Sequence, residues 1–196
     1  MRILLKIENK INRWKRKLFG RNRVHHYVLK DVLDELLNQA ESPLVLLETG
    51  CIRNLNEGTD STYIISSTVK DKGNFYTFEL EPEHIAICKE LCSDYNQYIN
   101  YVQGDSVAGM KRLVGSGELK SIDFAFLDSV NDGDHIWNEF KVIEDYMKEG
   151  SYLIVDDVLW ADKGRIILPF LKGSEQWDVK VYNMENGMAV AKRIRT

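Results

Sequence analysis

The chain has little of what most quickly fixes a protein's class. Of its 196 residues only three are cysteine, Cys51, Cys88 and Cys92. So small and odd a number is no disulfide framework and favours a reducing compartment. Cys88 and Cys92 stand one helical turn apart and read as half-buried thiols rather than metal ligands. Long apolar runs are also missing. Ile3-Leu4-Leu5, interrupted by Lys6 and Glu8, is too short for a signal-peptide core or a membrane span, so the expected location is cytoplasmic. Nor does the stretch from Pro43 to Thr62, where a phosphate-binding loop would be sought, contain G-x-G-x-x-G or G-x-x-x-x-G-K-[ST]. The usual dinucleotide and P-loop cradles are therefore excluded there.

Charge is present but unevenly spread. Residues 1–30 hold ten Lys or Arg against one acid, Glu8, while the remaining residues hold sixteen against twenty-nine. A basic arm thus precedes an acidic domain. Within the arm Leu4, Ile7, Ile11, Trp14 and Leu18 recur at helical spacing among Lys and Arg, the pattern of a basic amphipathic helix. Two readings stay open for residues 1–20: a helix packed on the domain or on a second copy in a homodimer, or peripheral contact with a membrane's inner face. Trp14 and Phe19 are the only aromatics among residues 1–20, and the rest of the chain is acidic, which argues against nucleic acid. At 196 residues and 44% hydrophobic, one core is expected. The division follows as a helical extension over 1–42, with a second helix from about Tyr27 to Gln39, and a ligand-binding domain over 43–196.

The domain is organised around Pro43 to Thr62. Leu44 to Leu47 is an apolar run too short for a helix and suited to a strand covered on both faces. Glu48, a turn at Gly50 and a hydroxyl cap at Ser61 follow it. An acid, one glycine and a helix-opening hydroxyl suit a ligand with cationic and hydroxyl groups and no phosphates, a description that S-adenosylmethionine fits.

Further strand ends repeat the theme. Asn74 to Glu81 is a second strand whose Glu79 is placed to accept ribose hydroxyls, with Glu81 a helix-start charge before Pro82. A helix from Glu83 to Tyr95 would turn Ile87, Leu91 and Tyr95 inward. Tyr98 to Gln103 ends in Gly104-Asp105-Ser106, where Asp105 either reaches an adenine amino group or caps the next helix. Ile122 to Leu127 ends in Asp128. The helix through Trp137 and Met147 is expected to close at Gly150, and Ser151 to Val155 ends in Asp156-Asp157. If the last two strands are neighbours, Asp128, Asp156 and Asp157 converge, and such a cluster calls for Mg²⁺ or Ca²⁺ or a raised pKa. A helix from Lys163 to Phe170 and a hairpin turning at Glu185-Asn186-Gly187 complete the pattern.

With these residues in view, the chain resembles class I S-adenosylmethionine-dependent methyltransferases, especially catechol-type and sugar- or antibiotic-tailoring O-methyltransferases. The resemblance runs from about Pro43 to Ile194. It implies an α/β, Rossmann-like methyltransferase fold: a seven-stranded, mostly parallel sheet in the order 3-2-1-4-5-7-6, helices on both faces and an antiparallel C-terminal hairpin. It further implies that Glu48, Gly50, Ser61, Glu79, Asp105 and Asp128 bind the cofactor, and that Asp128, Asp156 and Asp157 hold a divalent metal. The acceptor would be a small-molecule or sugar hydroxyl. A lysine base of the catechol-type enzymes is replaced by Asn131, so His135 and Asp128 are the catalytic candidates. A hydroxylase-like relative, or a non-catalytic protein docking through the basic arm, stays open beside this reading.

Overall fold

The computed structural model describes residues 23–53, 61–183 and 186–195. The basic helix expected within residues 1–20, the polar loop before Ser61 and part of the last hairpin turn lie outside them.

Seven strands form one sheet in the order β3-β2-β1-β4-β5-β7-β6. They are β1 (Leu44–Thr49), β2 (Gly73–Glu79), β3 (Ile99–Gln103), β4 (Ile122–Leu127), β5 (Met147–Val155), β6 (Trp177–Tyr182) and β7 (Met188–Arg193). The first five run parallel, whereas β7 is antiparallel to both β5 and β6. The expected topology is therefore present in full.

Side-chain alternation divides the core into two layers. Leu46, Phe75, Phe124, Phe126 and Ile154 face one side, where they meet α1 (Arg23–Gln39), α2 (Ser61–Val69) and α3 (Pro82–Leu91). Leu47, Ala125, Leu127, Leu153 and Val155 face the other, under α4 (Ser106–Gly115), α5 (Gly133–Ile143) and α6 (Asp162–Gly173). Nearly every position of β1 and β4 is buried, as is β5 from Ser151 to Val155, as required of strands with helices on both faces. Helix α1 contributes Val28, Leu29, Val32, Leu33 and Leu36 to the first layer, and its Glu35 accepts a 2.7 Å bond from Lys192 of β7. This part of the presumed extension thus shares the domain's core.

Three local expectations change. Gly150 does not close a helix: α5 stops at Ile143, and Met147 already belongs to β5. Gly150 instead sits within that strand at φ +90, where the β4–β5 register shifts, a backbone shape that favours glycine. In α3 the buried residues are Ile85 and Cys88, and Ile87 points out. Cys88 and Cys92 are buried, not half-buried.

At the carboxyl edge the strand exits are stitched together. Gly104 N donates to Glu79 O at 2.9 Å, Gly50 N to Phe78 O at 2.8 Å, Asp128 N to Thr49 O at 3.1 Å and Asp156 N to Leu127 O at 3.3 Å. Each exit is thereby fixed against its neighbour. Gly50 has φ +80, and a Cβ there would lie 2.5 Å from Asp128 O. Gly50→Ala is expected to lose at least about 2 kcal/mol, from left-handed strain together with the displaced β4 exit. Denaturant unfolding measures it.

Candidate functional site

Glu79 stands last in β2, beside the Gly50 turn. Its Oε1 accepts from Glu81 N at 3.0 Å and lies 3.3 Å from His84 Nδ1, while Oε2 receives Cys51 N at 3.4 Å and the Cys51 thiol at 3.8 Å. Burial alone would raise its pKa, but the donors from Glu81, His84 and Cys51 prevail and hold the carboxyl below its ordinary value. The group is an ionised carboxylate at a strand end. Two of its contacts are long, so a carboxylate with about four acceptor positions keeps capacity for a ligand's hydroxyls.

Glu48 behaves differently. It is fully buried, and three hydroxyls converge on it: Ser61 on Oε1 at 2.5 Å, and Thr62 and Thr77 on Oε2 at 2.7 and 2.9 Å. Thr62 Oγ1 also accepts Ile52 N at 3.0 Å. The expected ligand-facing acid and helix cap are thus bonded to each other, and together they clamp the turn after β1 to the start of α2. Burial outweighs the hydroxyls and pushes the Glu48 carboxyl up to about 8.

Asp105 takes the capping role. Its side chain accepts Ala108 N at 2.8 Å at the start of α4. The next residue, Ser106, belongs to a cluster that sequence reasoning missed. Ser106 Oγ bonds Glu139 Oε1 and lies 3.0 Å from His135 Nε2, which is itself 3.2 Å from Glu139 Oε1. Thr49 Oγ1 donates to Glu139 Oε2 at 3.3 Å and receives Asp128 N at 3.2 Å. Glu139, entirely buried, therefore ties α5 to the β1 exit and the α4 start. The His135–Glu139 spacing of one helical turn was the signal available in sequence. Glu139 raises the His135 pKa, favouring the imidazolium, which has no lone pair with which to take a proton. His135 is bonded to the start of α4 rather than to the β4–β5 acids.

Asp128 already has a cationic partner. Its Oδ1 is bonded at 3.1 Å to Nζ of Lys163, a lysine with no exposed side-chain surface, whereas Asp128 retains 25%. Burial raises the Asp128 pKa; Lys163 opposes this, Asp156 and Asp157 add to it, and the result is about 7. The expected divalent cation does not suit this donor set. An ammonium already holds Asp128, and Asp157 N turns back to Asp156 Oδ1 at 3.0 Å. Among the described residues no three His, Cys, Asp or Glu side chains form a group that could hold a metal. Lys163 gave a faint sequence signal, since a lysine in the first turn of α6 opposes the helix dipole and needs another reason to be there.

Glu48 binds a proton in the fold that it lacks when unfolded, so its contribution is present below pH about 4.5 and is lost as pH rises to about 8. Glu48→Gln should flatten that decline, read from melting temperature across pH. Asp128→Ala strands a buried ammonium and should cost about 3–5 kcal/mol, measured by chemical denaturation.

Comparison with solved structures bears on the fold. A Corynebacterium glutamicum protein superposes with a TM-score of 0.71 at 14% identity, covering 95% of this chain and 89% of its own. A Staphylococcus aureus protein, provisionally named a caffeoyl-CoA O-methyltransferase, gives 0.67 at 14% identity with 98% of each chain covered. A Podospora anserina methyltransferase bound to S-adenosylhomocysteine gives 0.64 at 18% identity, covering 93% and 85%. At such identities these likenesses establish the fold. No curated protein matches the sequence. The family described as "Methyltransferase domain" matches residues 57–158, more than half of the chain, and to that family the chain belongs.

Proposed function

We propose that this protein is an S-adenosylmethionine-dependent methyltransferase that acts on a hydroxyl oxygen of a small-molecule or sugar-containing acceptor. The observation that carries the reading is Glu79, an ionised carboxylate at the second strand's exit, beside a glycine turn that leaves no room for a Cβ. A nucleoside diol needs an acceptor of that kind in that place. The S-adenosylhomocysteine held by the Podospora methyltransferase supports the cofactor, and the name of the Staphylococcus protein supports oxygen as the atom methylated.

When bound, the cofactor supplies a sulfonium methyl already activated for transfer. The chain's work is then to hold, orient and deprotonate. Glu79 accepts the ribose hydroxyls, and Gly50 lets the β1 turn approach the ligand. Ser61, Thr62 and Glu48 keep that turn in one conformation, so little ordering remains at binding. Asp128 is the better candidate base than His135. Its carboxyl, near 7, is half ionised around neutrality, and a quarter of its side chain is exposed toward the edge where an acceptor would lie. No step in this scheme passes through a metal.

Calorimetric titration with S-adenosylhomocysteine tests the reading. The wild-type chain should bind, and Glu79→Ala should weaken binding by about 10- to 150-fold, the worth of a hydrogen bond to a charged group. A wild-type chain that shows no binding would sink the proposal.

A further inference from the structure

Resting on the methyltransferase reading, we propose that Lys163 is the resident cation of the β4–β5 acid edge: a positioning residue that holds Asp128 by Oδ1 where a divalent ion would otherwise be needed, so that this site works without metal.

The first ground is charge. Asp128, Asp156 and Asp157 stand at adjoining strand exits, since β4 and β5 are paired through Leu127 and Val155. Carboxylates so placed need a counter-charge. The ammonium of Lys163 supplies one, at 3.1 Å from Asp128. A second cation on the same carboxylate would have to approach that ammonium in a poorly solvated place, where like charges repel strongly.

The second ground is that the backbone is built to put Lys163 there. A Cβ on Gly164 would come 1.8 Å from Val158 O, so the start of α6 crosses the segment after β5 at a distance only glycine permits. A Cβ on Gly133, at the start of α5, would lie 2.7 Å from Ile166 and 3.3 Å from Asp162 O. Ala161 N bonds to Asp157 O at 3.3 Å, which folds the connection back over the acids. These approaches fix the first turn of α6 from two sides, and Lys163 projects from that turn against the dipole's preference. A long, entropy-rich side chain is fully buried, and its charge would be left uncompensated there without the Asp128 carboxylate.

The consequence is positional. Lys163 occupies Oδ1, and the exposed part of Asp128 is left to meet an acceptor hydroxyl. Because Lys163 has no exposed surface, it acts through Asp128 and not on the acceptor itself.

Mn²⁺ uptake by the full-length chain, read from the electron-paramagnetic-resonance signal of free Mn²⁺, tests this without an acceptor. Wild type should show no saturable uptake at millimolar Mn²⁺, and its affinity for S-adenosylhomocysteine should change by less than about twofold between Mg²⁺ and EDTA. Lys163→Met should gain a single Mn²⁺ site that the double variant with Asp128→Asn loses, whereas Lys163→Arg, which restores the charge, should stay silent. Saturable uptake by wild type that Asp128→Asn abolishes would overturn the proposal, as would a folded Lys163→Met chain that takes up none. If Lys163→Met does not fold, the wild-type titration against Asp128→Asn decides alone. Absence of S-adenosylhomocysteine binding would count against the methyltransferase reading, and the Mn²⁺ result would still report on Lys163.

Discussion

Four backbone hydrogen bonds, each from the residue leaving one strand to the end of its neighbour, hold the carboxyl edge of the sheet together. Through them Glu79, Gly50, Asp128 and Asp156 take up successive positions along β2, β1, β4 and β5, so side chains distant in sequence acquire fixed separations. Parallel strands make this possible, because all their exits lie at one edge. The left-handed turn at Gly50 is part of the same construction: it brings the β1 exit against the carbonyl of Asp128. Side chains can then be specialised without the frame having to move.

An edge so rich in acids poses a charge problem, and the chain answers it differently at each position. Glu48 is surrounded by hydroxyls and favours its neutral form. Glu79 is held ionised by backbone donors and His84. Glu139 is bonded by Ser106 and Thr49 with His135 beside it, and Asp128 is matched to Lys163. Hydroxyl partners stabilise a buried acid without fixing its charge, whereas a cationic partner favours the anion. The distribution therefore separates groups that hold the scaffold from groups that can meet a ligand.

The fold was legible because its signals are local. Apolar runs such as Leu44 to Leu47 announce strands with both faces covered, and the Asn186-Gly187 turn announces the hairpin. The acids at the strand ends were legible too, since each stands one or two residues from an apolar run. Their partners were not. Lys163 lies 35 positions from Asp128, Glu139 lies 90 from Thr49, and Thr77 lies 29 from Glu48; no spacing rule links residues brought together only by the sheet. An acid cluster seen without its lysine looks as though it needs an ion. Gly150 was misread because a glycine after a helical pattern resembles a helix stop, whereas here a register shift inside β5 required it.

The strand order also has a temporal side. β7 is made after β5 and β6, yet it lies between them, and its turn supplies the carbonyls of Asn186 and Gly187 to the amides of Leu159 and Val158. The segment that carries the acid edge into α6 is therefore braced by residues synthesised some thirty positions later. On the ribosome, the first four parallel pairings can form while the chain is still emerging. The Val158–Leu159 segment must wait for its brace until β7 clears the exit tunnel and is inserted into a sheet already built.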